Sequence, residues 1–275
     1  MKEDRLINLA KDVRRSIIEV ACKSRSAHVG SALSCTDLLV ALYFYQLKNL
    51  DVKNWKRRDI FILSKAHAAI ALYAVLTKKG LITQGQFNRY FQNDGSLPAH
   101  LDRFDPQGRL RKGIEVSAGA LGHGFNIAVG MSYGYKLRGD KRKVYCLIGD
   151  GESQEGSVWE GALFGAKLKV DNLTVLLDFN NLQGYGRPTQ ICHFMPIAAK
   201  WEAFGWQPYQ VDGHDFREIL DALQKPHRGK PKIIIAKTVK GKGVSFMENE
   251  MKWHYYMVTD ELKEQALQKL CALIK

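Results

Sequence analysis

Two short segments of this 275-residue chain carry residue types that bind phosphate through a divalent cation. The first is Gly149-Asp150-Gly151-Glu152 and the second is Asn180-Asn181, with 28 residues between Gly151 and Asn180. Glycine on both sides of Asp150 permits a sharp turn and the close approach of a phosphate to the backbone. Asp150 and Asn180 offer hard oxygen donors, which Mg²⁺ accepts alongside phosphate and water. Either segment alone reads as an ordinary turn, because Gly, Asp and Asn are common loop residues. Their pairing at this spacing, across one strand–helix–strand unit, goes beyond that reading.

Both segments must follow strands for this geometry to work. Lys143 to Ile148 and Asn172 to Asp178 are short apolar runs that read as buried strands, with a helix from about Ser157 to Leu168 between them. That order is a parallel crossover unit. Further strands are expected at Asp59–Ser64, Trp206–Val211 and Lys232–Lys237. Helical spacing appears over residues 4–22, at Asp37–Leu47 behind a Ser34 or Thr36 cap, and from His67 to Lys79 before Gly80. Thr83 caps a short helix running to Tyr90, and further helices are expected near Phe216–Leu223 and over Asp260–Leu273. The pattern predicts an α/β fold, a doubly wound parallel sheet with helices on both faces. In such sheets ligands sit beyond the carboxyl ends of the strands. The loops after Ser64, Ile148, Asp178 and Lys237 are each rich in His, Gly, Asp or Asn.

Composition narrows the class further. Hydrophobic residues make up 45% and charged residues 25%, which excludes a disordered or collagen-like chain. The length favours one large domain over residues 1–275, without repeats or long Pro/Ser linkers. Lys and Arg total 41 against 28 Asp and Glu, a formal charge of +13 that suits phosphates, phosphorylated sugars, nucleic acid or an acidic partner. Five scattered cysteines without a C-x-x-C predict reduced thiols rather than a disulfide framework. The charged N-terminus has no apolar signal core, and apolar stretches fall short of a membrane span, so a cytoplasmic location is expected.

Several motifs in the same order resemble transketolase, over nearly the whole chain. The run from Gly149 to Asn181 resembles that family's diphosphate-binding motif, Ser64-Lys-Ala-His67-Ala its S-K-G-H-A segment, and Ser117 to Gly124 its T-G-S-L-G-Q-G loop. Lys240-Gly-Lys-Gly243 with Trp253-His254 resembles its K-G-x-G and W-H-G pair. The resemblance implies thiamine diphosphate and Mg²⁺ as cofactors. Asp150, Asn180 and the Leu182 carbonyl would hold the metal. Ser31, His67, Gly151, Glu152, Asn180, Lys240 and His254 would face the cofactor, with Gly119 and Leu121 beside its aminopyrimidine. His28, His100 and His254 would meet the sugar hydroxyls and the reacting carbon, a task suited to groups that titrate near neutral pH. Glu155 and Glu160 fall where the family places acids near a subunit contact, and Glu155 is assigned to the neighbouring active site. His193, His214 and His227 match no motif. Three positions depart from the family pattern: Ala66 for Gly, His123 for Gln, and Tyr255 after His254, where Gly is common.

Full-size transketolases are more than twice as long and continue into pyrimidine-binding and C-terminal domains. The resemblance therefore implies the N-terminal subunit of a split enzyme, active only with a second chain that carries the pyrimidine half. Self-association and an α2β2 assembly are expected, with ketose and aldose sugars or sugar phosphates as substrates. The α subunit of a 2-oxo acid dehydrogenase or decarboxylase shares GDG and NN but leaves the segments at 64–67 and 117–124 unexplained. A nucleic-acid-binding module is disfavoured. Its basic clusters, Lys53–Arg58, Arg109–Lys112, Lys141–Lys143 and His227–Lys232, lie in separate loops without stacking aromatics.

Overall fold

A computed structural model describes residues 2–48, 50 and 57–272. Five apolar runs form the strands β1 (Ile60–Leu63), β2 (Val144–Gly149), β3 (Leu173–Phe179), β4 (Gln207–Asp212) and β5 (Lys232–Lys237). All pair in parallel, in the order β1-β2-β3-β5-β4. β1 and β2 are buried along their whole length because helices cover both faces, whereas the edge strand β4 is largely open to solvent. The observed strands lie within one or two residues of the expected ones.

In chain order the helices are α1 (Lys2–Ser24), α2 (Val29–Ser34), α3 (Thr36–Ala41), α4 (Ala69–Lys78), α5 (Gln84–Phe87), α6 (His123–Leu137), α7 (Gly156–Lys167), α8 (Pro188–Ile191), α9 (Ile197–Ala203), α10 (Phe216–Gln224) and α11 (Asp260–Ala272). Thr83 caps α5 with a reciprocal Gln86 bond, as expected. The expected cap at Ser34 or Thr36 is not found. Cys35 occupies the cap position of α3, while Ser34 Oγ donates to Asp178 and Thr36 Oγ1 to the Ala32 carbonyl. The helix expected through Leu47 widens after α3 into a π turn at Leu42–Gln46. Residues 53–56 of one basic cluster and Leu273 at the end of the expected last helix lie outside the described residues.

The crossovers explain how the two faces fill. From β1 to β4 the chain advances across the sheet, and α6, α7 and α9 pack Phe125, Val158 and Trp201 on one face, against Ile62, Ile148 and Leu177. Between β4 and β5 the chain steps back. A right-handed crossover then lands on the opposite face. There α10 sets Phe216 and Ile219 in the core that contains Leu147, Leu176 and Ile234, and α1, α3 and α4 complete it. Among the described residues no helix is long and apolar enough to cross a membrane. All five cysteines are free thiols.

Candidate active site

The carboxyl ends of four adjacent strands, β1, β2, β3 and β5, open into one cleft of about 250 Å³. Beyond β1, Lys65 points inward and donates to Asp178 Oδ2 at 2.5 Å and to the Ser31 carbonyl at 3.2 Å. Both members of this pair are fully buried. Burial opposes each charge, yet the partner holds the Lys65 ammonium above its usual range and the Asp178 carboxyl below its own. Asp178 also accepts from Ser34 Oγ (2.6 Å) and Thr238 Oγ1, which binds β1, α2, β3 and the β5 loop together beneath the cleft.

Beyond β2, Asp150 Oδ1 accepts from the Gly151 amide at 2.8 Å, while Oδ2 is buried with no protein partner. Burial, with the nearby Asp178 charge, pushes the Asp150 carboxyl up to about 6. Beyond β3, Asn181 takes a left-handed φ of 57°. Asn180 Oδ1 accepts from the Leu182 amide at 3.1 Å. Beyond β5, the buried Lys240 donates to the Leu182 carbonyl at 2.7 Å and lies 3.0 Å from His254 Nδ1. Burial, reinforced by the Lys65 charge, lowers the Lys240 ammonium to about 8.

Four imidazoles converge on this floor. The His28 ring lies 5.3 Å from His67, 6.1 Å from His100 and 5.0 Å from His254, centroid to centroid. Burial, aided by His100 and Lys240, pushes His28 down to about 4; burial with Lys240 and His28 pushes His254 down to about 3. His67 is also driven well below its ordinary value, first by burial and then by Lys65. Charge is thus concentrated on Lys65, Lys240, Asp178 and Asp150, and the rings of His28, His67 and His254 are neutral at pH 7.

Residues 6–271 match the family described as transketolase, thiamine diphosphate binding domain. The chain is 40% identical to one subunit of the apulose-4-phosphate transketolase of Actinobacillus succinogenes, over 97% of this chain and 96% of that one. The chain belongs to the transketolase family. It is also 37% identical to a 6-deoxy-6-sulfo-D-fructose transketolase subunit from a Clostridium species, over 95% and 94% of the two chains. The crystal structure of the transketolase of Campylobacter jejuni superimposes with a TM-score of 0.87 at 29% identity, covering 98% of this chain but 43% of the other. In extent and sequence this chain corresponds to the N-terminal subunit of split transketolases, and its α/β fold is theirs.

Nearly all the transketolase residues anticipated from sequence line the cleft: His28, Ser31, His67, His100, Gly119, Leu121, Asp150, Gly151, Glu152, Asn180, Leu182, Lys240 and His254. Glu152 is turned to another use. Its carboxylate accepts from the Gly122 amide (2.9 Å), the Gly149 amide (3.2 Å) and Ser64 Oγ, joining α6 to the ends of β1 and β2 rather than offering a free oxygen to a ligand. Glu155 does not line this chain's cleft; it sits exposed at the cap position of α7. Sequence reasoning missed Lys65, Gln183 and Tyr185 as lining residues. Lys65 stands inside the Ser64–His67 motif, and a lysine directly after a buried apolar strand was the signal that could have found it. Tyr255, noted only as a departure, stacks edge-on against His254 at 4.6 Å and forms the rim.

Proposed function

We propose that this cleft binds the diphosphate end of thiamine diphosphate with Mg²⁺. We propose further that, with a second polypeptide supplying the pyrimidine half, the chain catalyses transfer of a two-carbon ketol unit between a ketose and an aldose, or their phosphates. When bound, thiamine diphosphate supplies the electron sink for cleaving a carbon–carbon bond beside a ketone. Residues 1–275 act in this reading as one diphosphate-binding unit. The observation that carries it is Asp150 Oδ2, a buried carboxylate oxygen without a protein partner, in a cleft edged by glycines and backed by Lys240.

The donor set fits the metal. Asp150 would give a carboxylate oxygen, Asn180 its amide oxygen and Leu182 its carbonyl, all hard ligands. Mg²⁺ usually keeps water and accepts phosphate oxygens beside protein ligands, which suits a site with three such donors. Lys240, still largely protonated at neutral pH, adds positive charge there. His28, His100 and His254 face the sugar; the neutral His28 ring can accept or donate a hydrogen bond to a hydroxyl, while His254, whose Nδ1 accepts from Lys240, offers its Nε2–H as a donor.

The partner reading is supported by relatives named as separate subunits and by the 43% coverage of the Campylobacter jejuni enzyme. Two relatives are named for a sugar phosphate and a sulfosugar, which supports a ketose with an anionic end for this basic chain. A cytoplasmic, α2β2 enzyme of carbohydrate metabolism is the assembly we infer, consistent with the free thiols. The test combines the chain, its partner, thiamine diphosphate and Mg²⁺ in a ketol-transfer assay. Turnover is expected only with both chains present. Asp150→Ala should abolish it while the protein stays folded. Normal turnover by that variant at limiting Mg²⁺, or robust turnover by this chain alone, would refute the respective half of the proposal.

A further inference from the structure

His214, which no motif accounts for, lies outside the cleft in the turn between β4 and α10. Its two ring nitrogens make two different bonds. Nδ1 is 2.6 Å from Asp37 Oδ2 on α3, and Nε2 is 2.8 Å from the backbone nitrogen of Val239. A backbone N–H can only donate, so Nε2 must be the unprotonated nitrogen and Nδ1 carries the proton donated to Asp37. Asp37 is fixed in turn by Arg14 of α1, whose guanidinium grips both carboxylate oxygens at 2.9 and 2.5 Å and also reaches the Leu33 carbonyl. All of this is buried or nearly so.

Val239 directly precedes Lys240. Where β5 runs into the cleft, the backbone is held by Thr238 N to the Phe179 carbonyl (3.0 Å), Val239 N to His214, and Gly241 N to the Gly30 carbonyl (3.0 Å). The middle bond goes to a side chain that the α1–α3 layer orients. We propose that His214 is a positioning residue: as the neutral Nδ1–H tautomer it fixes the Val239–Lys240 backbone, so that the Lys240 ammonium stays at the Leu182 carbonyl and His254. Its effect on ligand affinity rests on the cofactor reading above; its effect on the loop does not.

Three measurements on the full chain test this. Nitrogen NMR of histidine-labelled wild-type protein should show a His214 ring protonated at Nδ1 and bare at Nε2. In His214→Leu, hydrogen exchange over residues 238–242 should quicken and thiamine diphosphate with Mg²⁺ should bind about tenfold more weakly, the scale of one lost buried hydrogen bond. The carboxamide of His214→Gln offers both an N–H donor for Asp37 and a carbonyl acceptor for Val239, so it should stay within about threefold of wild type. In the assembled enzyme the His214→Leu defect should appear as a raised KM for the cofactor, with kcat largely retained at saturation.

A wild-type ring protonated at Nε2 overturns the proposal, and so does unchanged exchange at 238–242 in His214→Leu. Should His214→Leu fail to fold, the wild-type tautomer and the behaviour of His214→Gln still decide: a folded His214→Gln with fast exchange at Val239 also overturns it. A wild type that holds the loop but, assembled with its partner chain, does not bind thiamine diphosphate refutes the cofactor reading alone.

Discussion

Uncharged imidazoles packed among buried ammonium groups leave a signature in the pH dependence of stability. His28 and His254 are held near 4 and 3, below the ordinary histidine value of 6.5. Between those limits the unfolded chain binds protons that the folded rings refuse, so their contribution to stability is full above about pH 6.5 and falls as pH drops toward 4, partly offset below pH 6 by Asp150, which takes up a proton more readily in the folded chain. In His28→Asn this slope should be shallower, as read from urea midpoints measured across that range; an unchanged slope would remove His28 from the cluster's energetics. The Lys65–Asp178 pair has the opposite character, since each charge is tolerated only because of the other. Lys65→Met strands a buried carboxylate and should cost about 3–5 kcal/mol in chemical denaturation. Adding Asp178→Asn should recover much of that loss, and a double variant as unstable as the single one would show that the pair's charge is not what holds it. At this scale the sequence was informative about donors and silent about their direction. Asp150 and the four histidines were legible from type and context. Glu152 was not, because no pattern tells whether a carboxylate in a loop faces a ligand or three donors of its own chain.

Close approach between elements limits what the helices can carry. A Cβ at Gly124, in the first turn of α6, would stand 2.7 Å from both Ser64 Cα and Ser64 Oγ. Gly124→Ala must push α6 away from the end of β1 or displace the Ser64 hydroxyl, which donates to Glu152 and accepts from the Phe125 amide of α6. An overpacking cost of about 1–3 kcal/mol is expected, seen as a lower thermal midpoint together with weakened cofactor binding. A variant with both properties intact would mean the contact is not tight. Elements with an apolar face or a fully buried run were readable from sequence: β2, β3 and β5, the polar-backed α10, and α5 with its Thr83 cap. No periodic signal announced α6, whose Gly124, Gly130 and Gly134 lower its helix propensity and whose apolar residues form no single stripe. It is helical because Phe125, Ala128 and Val129 pack on the sheet. Nor was α2 visible, since all six of its residues are buried and it presents no polar face from which to read a period.

Among the described residues, exposed large apolar side chains are scattered over the surface, and two groups of them bear on assembly. One is the cleft rim, with Tyr185 and Tyr255, continued in sequence by the exposed Tyr256 and Met257; the other is the outer side of α7, where Leu163 and Phe164 are 59% and 60% exposed. In the α2β2 assembly proposed above, the first would meet the pyrimidine-binding partner and the second a second copy of this chain, next to the exposed Glu155 and Glu160, which the family resemblance places near a subunit contact. Phe164→Glu should therefore shift the purified chain toward monomer in sedimentation while leaving its fold intact. An unaltered sedimentation coefficient would place self-association elsewhere. Strand order could not be read from the sequence, since adjacency in the chain does not say that β5 lies between β3 and β4. That placement has a consequence for biosynthesis. The ribosome releases β4 before the strand that must sit beside it, so the growing polypeptide keeps the edge of β3 unpaired until Lys232–Lys237 emerges. Because Lys240 follows only three residues later, closing that edge and furnishing the cleft with its ammonium group belong to one late event in the birth of the protein.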